Sequence, residues 1–290
     1  MVSIIIPTKD KAELLKPCLE SITRDAGYSN WEIIVIDNGS ENEETFQLFE
    51  EYEKRLGTRF QVCHEPGPFN FSYLMNQAVK ASHGSMLLLL NNDTEVITPA
   101  NWLEEMVGYA QREEIAGVGC KLLYDDDTIQ HGGVICGIGG VAHHSHVNFS
   151  LHDPGYFDRL TFVTNYSAVT AACLVIKRSL WDEVGGLDEK LEVNFNDVDF
   201  CLKLLGRGYR HVFLPYVMFY HHESKSRGSE DTLLKQQRFL REVKLMQTRW
   251  PKITEPDPYY SEHLNQKTTG DFSISQDSIY YCNEDDEILR

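Results

Sequence analysis

Short apolar runs and stretches of helical spacing alternate through the first ninety residues of the chain. Residues 2–6 are apolar and end at Pro7-Thr8; residues 31–36 end at Asp37-Asn38-Gly39-Ser40; residues 86–90 end at Asn91-Asn92-Asp93. Runs this short and continuous fit strands buried on both faces. Residues 60–64 form a further short strand candidate. Between these runs, residues 9–23 place Ala12, Leu15, Leu19 and Ile22 on one helical face. Residues 43–56 repeat the pattern with a strongly acidic outer face, and residues 71–81 form a third helix with Ser72 as its N-cap. The order β-α-β-α-β-α-β with short connections predicts an α/β fold around a mostly parallel sheet with right-handed crossovers.

The second part of the chain is less regular. Pro99 opens a helix with Trp102, Leu103, Met106 and Val107 on one face, and residues 116–123 read as a strand. Asp125-Asp126-Asp127 reads as an exposed acidic turn rather than a metal cluster. Residues 132–140 are rich in glycine and lead to His143, His144, His146 and His152. Such histidines can form a zinc site, but no cysteine or acid stands at a usual ligand spacing, so a loop that is mobile until substrate arrives is expected. Residues 165–176 read as a buried strand and Gly185-Gly186 as a tight turn. Residues 194–207 read as a helix with Asp197 near its start. Asp197 and Asp199 stand two apart and cannot both face one pocket, so one functional and one structural carboxylate are expected. A capping role for Asp197 beside the helix dipole is the simpler alternative. Residues 209–219 form another apolar segment, and residues 233–250 a helix basic on one side. The chain from Gly270 is polar and acidic.

Composition narrows the classes. The formal net charge of -17 repels nucleic-acid phosphates and makes a metal ion the natural go-between for an anionic ligand. No apolar run approaches the ~20 residues of a membrane span. The N-terminus lacks the basic flank of a secretory signal and reads as a first strand. Seven cysteines without a CxxC pair, several inside apolar runs, point to reduced thiols in a cytoplasmic protein.

The polar clusters at residues 8–10, 37–40 and 91–93 all close strands. Parallel strands bring their carboxyl ends to one edge, which is where open α/β sheets bind ligands. Asn91-Asn92-Asp93 there suits a hard divalent cation carrying a phosphate; taken alone, a turn explains it equally well. No GxGxxG follows the first strand and no GxxxxGK[ST] occurs, which argues against dinucleotide binding and a P-loop.

The stretches SIIIPTKDKAELL, EIIVIDNGS, FNFSYLMNQAV, LLLLNNDTEVI, NYSAVTAACLVIKRSLWDEVGGLDE, FNDVDFCLKLLGRGYR and YHHESKSRG, in this order and spacing, resemble the family-2 inverting glycosyltransferases of the GT-A fold. The likeness is closest to bacterial enzymes that build O-antigen and other cell-surface polysaccharide, including rhamnosyltransferases. It implies a GT-A domain over residues 1–270, with a nucleotide-binding half at 1–98, an acceptor-binding half at 99–270, and an acidic tail or linker at 271–290. It also implies roles. Pro7, Thr8 and Asp10 would line the base and ribose, Asp37 would bond the pyrimidine ring with Asn38 beside it, and Asn70 and Asn76 would lie near the donor, as would Asn91 and Asn92. Asp93 would ligate Mn2+ or Mg2+, with Asn91 standing where the family commonly has the first Asp. His221 would be the second metal or diphosphate ligand, with His222 as the adjacent alternative. Asp197 would be the general base, with Asn196 in place of the family's Glu.

The chemistry implied is a single displacement at the anomeric carbon of a UDP- or dTDP-sugar by a hydroxyl of a growing glycan. One carboxylate must accept the hydroxyl proton, and the diphosphate leaving group needs a cation. A retaining glycosidase would need paired carboxylates about the scissile bond and would leave the Asp37 pocket without a purpose. A sugar nucleotidyltransferase would want a glycine-rich basic loop after the first strand, which PTKDKAELL lacks. A non-catalytic module of a larger synthase is the third reading. The expected partners are the nucleotide sugar, a glycan or lipid-linked saccharide acceptor, and further glycosyltransferase domains of the same chain or complex. The expected location is the cytoplasm or the inner face of the cell membrane. The segment from Gly132 to His152 and the Tyr259-Tyr260 region are expected to shape the acceptor site.

Overall fold

A computed structural model describes residues 1–24, 27–98, 100–222, 232–253, 255, 257–266 and 272–275. The elements run β1 (Val2–Thr8), α1 (Ala12–Arg24), β2 (Trp31–Asp37), α2 (Glu43–Leu56), β3 (Phe60–His64), α3 (Phe71–Ala81), β4 (Met86–Leu90), β5 (Thr94–Val96), α4 (Trp102–Ala110) and β6 (Ile115–Leu123). There follow β7 (Ile129–His131), β8 (Val134–Cys136), β9 (Ala142–His144), β10 (Thr164–Tyr166), β11 (Cys173–Lys177), α5 (Arg178–Val184), α6 (Asn196–Leu205), β12 (Arg210–His221) and α7 (Leu233–Arg249). Pro99, residues 223–228 of the YHHESKSRG motif and residues 276–290 of the expected tail lie outside the described residues.

The main sheet has the order β10-β12-β6-β11-β4-β1-β2-β3, with β5 paired to β12 and β7 to β6. β4, β1, β2 and β3 are mutually parallel, as are β6 and β12. β11 runs antiparallel between β4 and β6 and joins the two parallel groups. The alternation of the strands explains their unbroken apolar runs. Val2, Ile4 and Ile6, with Ile33 and Val35, face a core under α1, α2 and α4, whereas Ile5, Ile34, Leu87 and Leu89 face a second core that includes α3, α5 and α6. A helix layer on each face leaves no solvated side, so both sets of positions are apolar except for Ser3 and Glu32, which are buried near the strand starts and hydrogen-bonded to each other at 2.6 Å.

Four local expectations are corrected. Ser72 does not cap α3; Asn70 does, its Oδ1 accepting from Tyr73 N at 2.9 Å, while the Ser72 hydroxyl donates to Leu191 O. Residues 165–176 are not one strand: β10 pairs with β12, the chain leaves the sheet over 167–172, and β11 inserts between β4 and β6. The glycine-rich segment is not an open loop. It follows β7 directly and folds into the antiparallel β8–β9 hairpin, with His131 and Ser145 fully buried. Gly132 and Gly133 serve close packing there. A Cβ on Gly133, at φ +103, would stand 2.4 Å from the Tyr166 ring, and one on Gly132 would stand 2.9 Å from Leu160. The expected tail also starts later than Gly270, because Phe272 is buried and stacks on His146 and Tyr156.

Candidate active site

The pairing of β5 with the end of β12 sets Thr94 opposite His221 and so brings residue 93 beside a residue far along the chain. Asp93 Oδ1 lies 3.2 Å from His221 Nε2, both side chains being buried. His221 is oriented from behind: its Nδ1 donates to Gln130 Oε1 at 2.6 Å, since an amide oxygen can only accept. Nε2 on the other side of the ring faces Asp93 and, at 3.1 Å, the Asn91 amide. A carboxylate oxygen and a ring nitrogen at this separation fit the ligand set of a divalent cation. Neighbouring ligands of an octahedral ion with ~2.1 Å bonds lie about 3 Å apart, close to the separation here. One carboxylate and one imidazole leave most of the coordination sphere to water and phosphate, the usual arrangement for Mg2+. His222 points the other way along the strand, to Asp125 and, at 3.7 Å, Glu95.

Asp197 stands in the first turn of α6. Its Oδ1 accepts from Val198 N at 2.8 Å and its Oδ2 from Ala171 N at 3.0 Å. The second bond exists because residues 167–172 have left the sheet. Each oxygen keeps a lone pair. The helix is entered through Phe195 in the left-handed conformation, φ 61, which is strained for a bulky side chain. α7 holds this entry in place: the buried Glu242 carboxylate accepts from Val193 N, Asn194 N and the Asn194 amide at 2.8–3.1 Å. Asp199 is the structural member of the pair. It takes Arg249 at 2.8 Å, Trp250 Nε1 at 2.9 Å and Lys203 at 2.8 Å, and Arg249 also grips Asp188. Asp197, Asn91, Gln130, His144 and His221 line one cavity of about 490 Å³.

The strand ends of the first half are tied into the protein. Asp37 is buried and accepts from Ser40 N, Ser40 Oγ and His64 Nδ1. Asn38 donates to Glu65 O and Gly67 O, joining the loops after β2 and β3. Asp10 receives Glu41 N and Asn42 N at 2.9 and 2.8 Å, fixing the entry to α2. Thr8 Oγ1 accepts from Asn92 Nδ2 at 3.0 Å, which links the ends of β1 and β4; Pro7 lies in β1 opposite Ile36. Asn70 Nδ2 donates to Glu189 O, and Asn76 exchanges two hydrogen bonds with the Leu187 backbone. These two amides thus pin the turn after α5 to α3.

The histidines of the hairpin do not converge on one point. His146 is buried between Ser145 and Phe272 and accepts from Tyr156 N. His144 instead meets His131, Nδ1 to Nδ1, at 2.7 Å. Burial pushes the His144 pKa down to about 4 against the opposing pull of Asp197, and pushes His131 well below the usual histidine value. Among the described residues no three His, Cys, Asp or Glu side chains gather as a metal-ligand group. Tyr260 packs against Phe272 in the third apolar cluster, and neither Tyr259 nor Tyr260 lines the cavity. Gln130, Glu242 and the His131–His144 pair escape a reading of spacing. The dipeptide Gln130-His131, polar yet inside a strand, is the one local signal that could have pointed to them.

The layered fold is that of the GT-A class. In a crystal structure of GalNAc-T7 with UDP, GalNAc and Mn2+, the matching fold has a TM-score of 0.66 at 17% identity, over 90% of this chain and 52% of that one. The chain belongs to glycosyl transferase family 2, whose pattern matches residues 3–180. It is 49% identical over 265 residues to the protein y4gI of Sinorhizobium fredii, covering 91% of this chain and 29% of that protein. It is 35% identical over 271 residues to the O-antigen biosynthesis protein RfbC of Myxococcus xanthus, covering 92% of this chain and 20% of that protein. The chain thus spans less than a third of the length of either relative.

Proposed function

We propose that the chain transfers a sugar, with inversion, from a UDP- or dTDP-sugar to a hydroxyl of a growing cell-surface glycan. The observation that carries this reading is the shared cavity in which His221, paired with Asp93, and Asp197 both take part. Asp93 and His221 would hold Mn2+ or Mg2+, which when bound supplies positive charge to the diphosphate leaving group. The presence of Mn2+ and UDP in the GalNAc-T7 structure of matching fold is in keeping with a divalent cation here. Asp197, anchored by two backbone N–H groups, accepts the proton of the attacking hydroxyl on a remaining lone pair. Asp37, with Asn38, Asp10, Thr8 and Pro7, frames the pyrimidine and ribose at the ends of β1 and β2, and Asn91 and Asn92 border the diphosphate. Asn70 and Asn76 support this wall through the 187–189 turn rather than by contact.

The nucleotide half is residues 1–98 and the acceptor half 99–270. The acceptor is a glycan or lipid-linked saccharide, a class in keeping with the O-antigen relative. Among the described residues no helix is long and apolar enough to cross a membrane. The location proposed is the cytoplasm or the inner face of the cell membrane, in keeping with the O-antigen relative. The relatives' greater length is consistent with further glycosyltransferase domains acting beside this one. A thermal-shift panel of nucleotide sugars tests the proposal. A UDP- or dTDP-sugar should raise Tm by mass action, by more with Mn2+ present. If no nucleotide sugar shifts Tm with or without the ion, the proposal falls.

A further inference from the structure

His131 and His144 are both neutral near pH 7, so each carries one ring proton. Their 2.7 Å Nδ1–Nδ1 contact requires one donor and one acceptor. His131 Nε2 is buried with no hydrogen-bond partner. If His144 were the donor, His131 would have to carry its proton on that orphaned Nε2. An unpaired buried N–H is among the rarest features of folded proteins, whereas an unpaired lone pair costs less. His131 therefore donates from Nδ1, and His144 is left with its proton on Nε2. His144 lines the cavity near Asp197, and among the described residues its Nε2 makes no hydrogen bond.

We infer that His144 Nε2–H is a fixed hydrogen-bond donor for a sugar oxygen of the acceptor, aligning the acceptor hydroxyl with Asp197, and that His131 is the positioning residue that sets its tautomer. This rests on the transfer reading above. The side of the cavity follows from Asp197: a group beside the base meets the acceptor, while the diphosphate belongs at Asp93 and His221. The surrounding apolar walls, with Val134, Ala142 and Phe239, suit the C–H faces of a sugar ring. The Gly132-Gly133 packing is what brings the two imidazoles together, because a side chain at either position would push the hairpin off Tyr166 or Leu160.

Long-range 15N–1H spectra of histidine-labelled protein, with methyl glycosides of rhamnose, glucose, galactose and N-acetylglucosamine as probes beside UDP or dTDP and Mn2+, test the inference. His144 should be protonated on Nε2, and at least one glycoside should shift that resonance. His144→Ala should weaken glycoside binding about 3- to 10-fold, the loss expected for one hydrogen bond. His131→Phe should mix the His144 tautomers with a similar loss. His131→Asn, whose amide N–H stands where Nδ1–H stood, should restore both, a rescue that a merely structural role would not give. A His144 ring protonated on Nδ1 overturns the inference. So does a resonance unmoved by every glycoside while nucleotide and Mn2+ still raise Tm, an outcome that leaves the transfer reading standing. If no nucleotide raises Tm, that reading falls and the inference with it.

Discussion

At the carboxyl ends of β1 and β2, Asp10, Asp37 and Asn38 are each bound to backbone or side chains a loop away. Across the sheet, Asp197, His144 and His221 present atoms to a cavity, and each is steadied from behind by a residue distant in sequence: Ala171, His131 and Gln130. Both regions are polar clusters, yet their hydrogen bonding differs. The first is a preformed frame whose carboxylates stabilise loops, and in the proposed function its part is to bind the nucleotide rather than to react. The second holds its groups in one orientation with lone pairs or protons left over, which is what a reacting site requires. A carboxylate at a strand end is therefore not by itself a sign of chemistry; its unused hydrogen-bonding capacity is.

The sharpest way to break this comparison is Asp197→Ala. Removal of a general base lowers transfer by about 10²- to 10⁴-fold. The Tm rise with nucleotide sugar and Mn2+ should persist, because Asp197 does not touch the donor in this reading. Nucleotide release from the donor with acceptor present is the measurement; normal turnover by the variant would remove the base from the second region and leave the two clusters alike.

A smaller effect is expected at Gln130→Leu. The amide oxygen that orients His221 is lost while the volume is nearly kept. Outer-shell partners of metal ligands are worth about 10- to 100-fold in metal affinity. The Mn2+ concentration needed for half of the nucleotide-dependent Tm shift should rise by that factor. An unchanged Mn2+ requirement would mean that His221 does not serve as a ligand set from behind.

The same contrast explains what could be read without coordinates. The first half alternates strands and helices with short connections, so β1, β2 and β3 pair with neighbours in sequence and the hydrophobic period reveals the strands, although β4 returns to pair with β1. Asp37 and Asp93 stand out there because each lies at the end of a mostly apolar strand. The site's second half depends on pairings over more than a hundred residues, such as Asn91 with His221, which leave no periodic trace. Resemblance supplied Asp197 and His221. It could not supply Gln130 or Glu242, whose roles come from where β7 and α7 pack. The glycines at 132 and 133 misled for a physical reason: glycine signals both mobility and tight packing, and only the position of the Tyr166 ring decides between them.

Asn38→Ala gives the smallest of these effects and examines the frame itself. The variant removes the two hydrogen bonds to Glu65 O and Gly67 O that tie the loops after β2 and β3. Both acceptors sit near the surface and can turn to water, so the loss is about 1 kcal/mol rather than the full cost of a buried orphan. In a domain of this size that lowers Tm by about 2–4 °C. Because the frame binds ground state and transition state alike, the KM for the nucleotide sugar should rise by more than kcat falls. The opposite pattern, a large fall in kcat at constant KM, would place Asn38 among the reacting groups and erase the distinction between the two ends of the sheet.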